Sequence, residues 1–239
     1  MTDMAIPREH IGIETLRRMS ALDAYNRWIV DEIRPWIGRV VLEVGAGIGN
    51  MSPFFLDRER LIVTDRDERC LGELRKKFAD SPNIRCEYYD LENSGAHLRQ
   101  RGIDTIVCLN VLEHIEHDEH ALAEFAAILE PGGRAIFQLP AHRLLYGTLD
   151  RNLDHFRRYG VREIKRKFRR AGLVPENIRR MNMPGAVGWF VTSRIFRKNI
   201  LPEGSLGLFN RLTPLFVAFE RIIPAPFGLS VIAVGRKPD

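Results

Sequence analysis

The chain is poor in cysteine and has no long hydrophobic run. Three of its 239 residues are cysteine, and Cys70, Cys86 and Cys108 are scattered along predicted strands and helices. Their odd number and spacing argue against a disulfide framework and a zinc site, so we interpret them as buried small side chains in a reducing cytoplasm. No apolar run reaches the roughly 18 residues of a membrane-spanning helix, and the first residues lack the pattern of a secretory signal.

Internal repeats and low-complexity segments are also absent. With 45% hydrophobic and 28% charged residues, a chain of this length can bury a sizeable core as one domain. The net charge is +5, and the basic residues concentrate between Arg151 and Arg170. We predict a helix over Val161 to Arg170 with Ile164 and Phe168 inward, which makes most of its charges a solvated face.

The most informative segment is a β-branched run that ends in clustered glycines. Val40–Leu42 leads into Glu43-Val44-Gly45-Ala46-Gly47-Ile48-Gly49, which predicts a buried parallel strand, a tight turn and a helix. Glycine lets the backbone approach a ligand where a Cβ would collide. A dinucleotide fingerprint would place its third glycine at Asn50. The observed spacing therefore disfavours a nicotinamide oxidoreductase.

Polar residues follow the later predicted strands. Asp65 ends the second strand about 20 residues after the first glycine, the spacing of an acid that holds a ribose diol. Asp90 follows the strand from Ile84 to Tyr88, and Asn110 follows the strand from Ile103 to Leu109. Strands alternate with helices as far as Gly133, which is typical of a doubly wound sheet whose ligands lie at the carboxyl ends of the strands.

Together, the acid-x-Gly-x-Gly-x-Gly loop and these strand ends resemble the class I S-adenosylmethionine-dependent methyltransferases. The resemblance implies a doubly wound, seven-stranded, mostly parallel α/β sheet with a helical insertion before the last strand. It also implies S-adenosylmethionine as cofactor, with Asp90 near adenine and Glu43 either bracing the loop or holding the amino-acid end. The expected cofactor residues are Glu43, Gly45, Ala46, Gly47, Gly49, Asn50, Asp65, Arg66, Asp90, Leu91, Asn110 and Val111, with Tyr25 and Trp28 as caps from one N-terminal helix over Ile11 to Trp36.

Further motifs resemble a bacterial branch of ubiquinone-biosynthesis-type methyltransferases. They are Val111-Leu112-Glu113-His114-Ile115, Pro140-x-His142, Leu145-Tyr146-Gly147, Asp150 and His155-Phe156-Arg157-Arg158-Tyr159, and the likeness covers nearly the whole chain. Phe156 departs from the tyrosine usual at its position. The resemblance implies methyl transfer and leaves the acceptor open. We expect the substrate near Tyr146, Arg158, Tyr159 and Trp189.

Histidines are the candidate general bases, since imidazole titrates near neutral pH. We name His142, His155 and His114, with Asp150 as the group that orients one imidazole. The alternative is a polar latch that closes this segment over the cleft. His114, His117 and His120 have the helical spacing of a metal site, but the resemblance supplies no metal there and we expect none.

The segment between Met183 and Leu229 is rich in apolar residues, with helical spacing over Leu208 to Ile223. It is either a helical subdomain packed on the sheet or a lid for a lipid-linked acceptor beside an anionic membrane. Nucleic acid is less favoured, because Asn110-Val111-Leu112-Glu113 replaces the Asn/Asp-Pro-Pro-aromatic motif of base-flipping amino-methyltransferases.

We therefore predict a cytoplasmic methyltransferase, with or without peripheral membrane contact, that acts on a small-molecule or lipid- or glycan-linked acceptor. The alternatives are a cofactor-binding protein without turnover and an RNA methyltransferase. We divide the single domain 1–239 into an N-terminal helical segment at 1–37 and a cofactor-binding core at 38–140. A substrate-side segment with a helical cap follows at 141–228, and the last strand and tail at 229–239.

Overall fold

A computed structural model of the protein describes residues 8–198, 203–223 and 225–239. Its centre is a seven-stranded sheet in the order β3-β2-β1-β4-β5-β7-β6, with β7 antiparallel to both of its neighbours and the other pairs parallel. This confirms the predicted doubly wound fold. The strands are β1 Val40–Val44, β2 Arg60–Asp65, β3 Ile84–Tyr88, β4 Thr105–Leu109, β5 Arg134–Pro140, β6 Val174–Met181 and β7 Ser230–Arg236.

Helices cover both faces of the sheet. Successive residues of a strand point to opposite faces, so Leu42 of β1 joins one apolar cluster with Phe125 and Phe168, while Val41 joins the other with Trp28 and Leu71. Because both faces are covered, the central strands are apolar throughout. The helices are α1 Arg8–Ser20, α2 Asp23–Ile33, α3 Glu68–Lys77, α4 Asp118–Ile128, α5 Thr148–Asn152, α6 Val161–Arg170, α7 Met183–Phe190 and α8 Glu203–Ile222.

The N-terminal segment differs from the single predicted helix. It forms α1 and α2, with a break at Leu22, whose ψ of 59° is not helical. The Oδ1 atom of Asn210 in α8 accepts the backbone N–H groups of Ala24 (3.0 Å) and Tyr25 (3.3 Å) and so caps α2. The cap comes from a distant part of the chain, which explains why apolar spacing alone did not reveal the break.

The segment at 141–228 is only partly a cap. It contributes α6 and the edge strand β6 to the α/β body, and α7, a π-helical turn at Val191–Ile195 and α8 follow before β7. On α8, Phe209 and Phe216 pack toward α2, with the Phe209 ring 5.6 Å from that of Tyr25. The Glu220 carboxylate accepts the N–H groups of Asn182 (3.1 Å) and Met183 (2.6 Å). These contacts hold α8 against the body.

Helix α6 buries Ile164 and Phe168 as predicted, but one of its charges is not solvated. Lys167 is 8% exposed, and its Nζ lies 2.6 Å from Oδ1 of Asp118. Arg157 pairs with the same carboxylate at 3.0 Å. The prediction that most charges of this helix are solvated allows this exception, which arises because α6 packs against α4 and a buried lysine needs a partner.

Candidate active site

The glycine loop after β1 adopts a backbone that requires glycine. Gly45, Gly47 and Gly49 have φ values of 67°, 57° and 74°, which side chains rarely allow. A Cβ at Gly45 would lie 2.5 Å from Cγ2 of Val111, which covers the loop from the end of β4. Ala46 donates its N–H to the carbonyl of Thr64 at 3.0 Å. The loop is thus fixed at the carboxyl edge of the sheet, where ligands of doubly wound sheets bind.

Asp65 ties the end of β2 to this loop. Its Oδ2 accepts the N–H of Gly47 at 2.8 Å and its Oδ1 accepts the N–H of Asp67 at 2.9 Å. A carboxylate oxygen has more than one acceptor direction, so both oxygens can still accept hydroxyl protons from a ligand. Asp65 is 9% exposed, and its contact with a ribose diol stays a prediction.

Glu43 is a buried carboxylate at the base of the loop. It is 4% exposed, and its Oε2 has no hydrogen-bond partner among the residues described. Burial raises the pKa of Glu43 to about 7. Lys77 lies beside the loop and donates its Nζ to the carbonyl of Gly49 at 2.6 Å. An orphaned carboxylate oxygen under a glycine cradle fits the ammonium end of S-adenosylmethionine.

Of the remaining expected cofactor residues, three lie at the carboxyl edge of the sheet with accessible side chains, whereas the side chain of Leu91 is buried. Asp90 lies in the turn after β3, where its carboxylate accepts the N–H of Glu92 at 3.1 Å, and Arg66 and Asn110 are exposed at the same edge. The Leu91 side chain is 3% exposed in the core, which leaves only its backbone for a ligand.

Tyr25 and Trp28 do not cap the cofactor site. They are 5% and 2% exposed in the apolar cluster, and the Tyr25 hydroxyl accepts a hydrogen bond from Nε2 of Gln138 at 3.0 Å. Besides Val111, Leu16 of α1 lies over the glycine loop, and its Cδ1 would lie 2.8 Å from a Cβ at Gly47. The side chain of Asn50 bonds to the carbonyl of Leu16 at 2.9 Å, so it anchors α1.

Three side chains from two distant segments meet beyond β4. Glu113, His114 and His155 each place one carboxylate oxygen or ring nitrogen within 4.8 Å of those of the others. The two imidazoles pack edge to face with centroids 4.7 Å apart. Glu113 is fully buried, and neither of its carboxylate oxygens has a hydrogen-bond partner among the described residues. We call these three residues the acceptor cluster.

Asp150 orients the imidazole of His155 within the acceptor cluster. It is fully buried, and its Oδ1 lies 3.0 Å from Nδ1 of His155 and 2.7 Å from Nε of Arg158. Its Oδ2 accepts the N–H of Gly147 at 3.0 Å and Nε1 of Trp189 at 3.2 Å. Burial alone would raise the pKa of Asp150, but hydrogen bonds from His155 and Arg158 hold it below its usual value. Asp150 is therefore a charged anchor for the imidazole.

Backbone and side-chain bonds clamp the two segments together. Phe156 donates its N–H to the carbonyl of Glu113 at 2.8 Å, and the Tyr159 hydroxyl donates to the carbonyl of Leu112 at 3.1 Å. The Tyr146 hydroxyl donates to the carbonyl of His155 at 2.7 Å. The positions of Glu113, His114 and His155 are thus set by the fold, as a preorganised site requires.

Burial also sets the charge of this cluster. It lowers the pKa of His114 to about 3, with the neighbouring His155 acting in the same direction, so His114 is neutral at physiological pH. It raises the pKa of Glu113 to about 7. The sequence placed Glu113 within a motif and beside His114, His117 and His120, but did not predict its meeting with His155. The sequence signal for a functional role was that Glu113 lies shortly after the end of the fourth predicted strand, at Leu109.

Two residues expected to contact the substrate, Arg158 and Tyr159, are instead buried and hydrogen-bonded within the protein. Tyr159 is 1% exposed, with its hydroxyl 2.9 Å from Oδ2 of Asp118, and Arg158 is 2% exposed between Asp150 and the Trp189 ring. Neither side chain is free to contact a substrate. Half-buried Tyr146 and Trp189 border the cluster through the bonds given above.

His142 lies apart from the acceptor cluster. It lines a cavity of about 560 Å³ together with Arg143, Arg166 and Arg180. Its Nε2 accepts the N–H of Gly228 at 3.4 Å, which resembles the expected latch more than a base. His117 and His120 are exposed and do not belong to the cluster.

The amino-acid sequence of the chain is similar to those of known methyltransferases. Residues 15–177 match the methyltransferase domain family. An uncharacterised methyltransferase of Geobacillus kaustophilus is 31% identical over 122 residues, which are 50% of this chain and 54% of that protein. The ubiquinone biosynthesis O-methyltransferase of Coxiella burnetii is 28% identical over 120 residues, 50% of this chain and 47% of that protein. The chain spans about half the length of the curated relatives it matches.

Comparison with solved structures also indicates a methyltransferase fold. An S-adenosylmethionine-dependent methyltransferase of Mesorhizobium loti superposes with a TM-score of 0.58 at 17% identity, covering 90% of this chain and all of the other. The chain belongs to the methyltransferase domain family and has the class I S-adenosylmethionine-dependent methyltransferase fold. S-adenosylmethionine is its cofactor. Within the described ranges, no helix combines the length and apolar character needed to cross a bilayer.

Proposed function

We propose that the protein transfers the methyl group of S-adenosylmethionine to a hydroxyl of a small-molecule or lipid- or glycan-linked acceptor. The observation that carries this proposal is the acceptor cluster, which lies next to the glycine loop. Val111 covers Gly45 and stands two residues before Glu113, so cofactor and acceptor sites share one edge of the sheet. The O-methyltransferase relative from Coxiella burnetii supports an oxygen acceptor.

One set of residues would hold the cofactor, and another would receive the proton of the acceptor. Bound cofactor supplies an activated methyl group on a sulfonium. Glu43, the glycine loop, Asp65 and Asp90 would hold and orient it, and alignment of bound reactants is worth roughly 7–11 kcal/mol of barrier. A neutral amine needs no base before attack, whereas a hydroxyl gains from one. His155, oriented by Asp150, is the group we assign to receive the hydroxyl proton as the oxygen–carbon bond forms and the carbon–sulfur bond breaks.

Labelled methyl transfer tests the proposal. Purified protein is incubated with methyl-labelled S-adenosylmethionine and separate lipid, glycan and small-metabolite extracts. We expect label in a base-stable ether product, with one S-adenosylhomocysteine formed per methyl transferred. Cofactor binding without label in any fraction would instead favour the binding protein without turnover, and label in RNA would favour the nucleic-acid alternative.

A lipid-linked acceptor is supported by an apolar stripe on the outer face of α8. We define the stripe as Leu208, Leu215, Phe219 and Ile222, which are 59%, 66%, 47% and 81% exposed. Exposed apolar residues at helical spacing suit the surface of a bilayer. Arg194, Arg197 and Lys198 supply cations next to α7.

Vesicle flotation tests this surface. We expect the protein to float with phosphatidylglycerol vesicles at low salt and to be released as salt screens the basic residues. Leu215→Asp should abolish flotation, because a carboxylate in the stripe is costly to bury in lipid. The matched control is Leu56→Asp, an exposed leucine outside the stripe, which should float like the wild type. Absence of flotation at low salt would rule the membrane contact out.

A further inference from the structure

We propose that Glu113, His114 and His155 bind one divalent transition-metal ion of the zinc class. The proposal departs from the expectation of no metal, which considered only the acids and histidines between Glu113 and His120. Two imidazole nitrogens and a carboxylate oxygen form the ligand set of catalytic zinc sites, in which a fourth position stays open. Their donor atoms already lie within 4.8 Å of one another.

Glu113 supplies the strongest argument. Both of its carboxylate oxygens are buried without a hydrogen-bond partner in the described parts of the chain. Leaving a buried carboxylate unpaired is costly, so buried charges in proteins are paired or coordinate metals. Arg158, the nearest buried cation, already pairs with Asp150 at 2.7 Å.

The surroundings of the His155 imidazole match those of a metal ligand. A metal-bound histidine usually gives its other ring nitrogen to a carboxylate or a backbone carbonyl, which fixes its tautomer and orientation. Nδ1 of His155 lies 3.0 Å from Oδ1 of Asp150, which leaves Nε2 for an ion. The His155 imidazole is thus anchored through one ring nitrogen and has the other free for an ion.

A metal at this place changes the chemistry of the acceptor, a consequence that rests on the proposed methyl transfer. An acceptor hydroxyl in the open position would be acidified by the cation, as bound water is. Its proton would then leave to solvent water, and the resulting alkoxide or phenoxide would attack the sulfonium methyl. In that case His155 acts as a ligand rather than as the base.

The test measures metal binding without cofactor or acceptor, so its outcome is independent of methyl transfer. Tag-free protein is stripped with dipicolinate and dialysed, and then Zn²⁺ and Co²⁺ are titrated by calorimetry, with the visible spectrum of Co²⁺ reporting coordination. We expect one equivalent per chain and a higher unfolding temperature with Zn²⁺, since a ligand of the native state stabilises it.

Substitutions of the proposed ligands test which side chains bind the metal. Glu113→Gln and His155→Asn should each weaken Zn²⁺ binding more than about 100-fold, since loss of a ligand exceeds the 10–100-fold cost of losing an outer-shell partner. His117→Asn, at an exposed histidine, should bind like the wild type. Retained S-adenosylmethionine binding shows that each variant is folded. Absence of stoichiometric binding in the wild type, or binding that both cluster variants retain, would overturn the proposal.

Discussion

Replacing His155 by alanine is expected to lower turnover about 100- to 10,000-fold while leaving S-adenosylmethionine affinity unchanged. The range is that of a positioned proton-transfer group, and loss of a metal ligand at the same place would act in the same direction. The substitution removes the imidazole held by Asp150 at 3.0 Å but touches no residue of the glycine loop. Steady-state kinetics with calorimetric titration of the cofactor measures both quantities.

Two other histidines provide controls for this variant. His117→Ala changes an exposed side chain outside the acceptor cluster and should keep full turnover. His142→Ala should cost less than tenfold, because His142 lies at a separate cavity. Full activity of His155→Ala, or an equal loss in His142→Ala, would contradict the assignment of the acceptor site.

Replacing Asp65 by alanine is expected to weaken S-adenosylmethionine binding at least tenfold, or about 1.4 kcal/mol. The carboxylate offers acceptors for the ribose diol and also holds the N–H of Gly47 at 2.8 Å, so its loss removes ligand contacts and loosens the loop. Calorimetric titration of the variant measures the change.

The matched control for Asp65 is Asp67→Ser in the same turn. Asp67 caps α3 by accepting the N–H of Arg69 at 2.8 Å, a role that serine can fill. This variant should bind the cofactor like the wild type. Equal affinities for wild type and Asp65→Ala would remove Asp65 from the cofactor site.

The cofactor half of the molecule was predictable because its signals are local. The run Val40–Leu42, the glycines that follow it and Asp65 lie on two consecutive strands, and parallel strands bring their carboxyl ends to one edge. Glycines with positive φ can be inferred from sequence, because few other residues adopt that backbone. The alternation of strands and helices then predicted a doubly wound sheet, and the family resemblance implied its seven mostly parallel strands.

The acceptor half was less predictable because its contacts join distant segments. Glu113 and His155 meet only when Phe156 pairs with the Glu113 carbonyl, and no spacing rule contains that bond. Tyr25 was assigned to the cofactor from its place on a helical face, which does not say what covers that face. Helix α8 covers it through Phe209 and Asn210.

The most direct test of the central claim is calorimetric titration of S-adenosylmethionine and S-adenosylhomocysteine into the folded wild-type protein. The account predicts saturable binding of both at one site per chain, with competition between them, because both share the groups that contact the glycine loop and Asp65. Absence of binding for either compound, in a sample whose thermal unfolding is cooperative, would contradict the account.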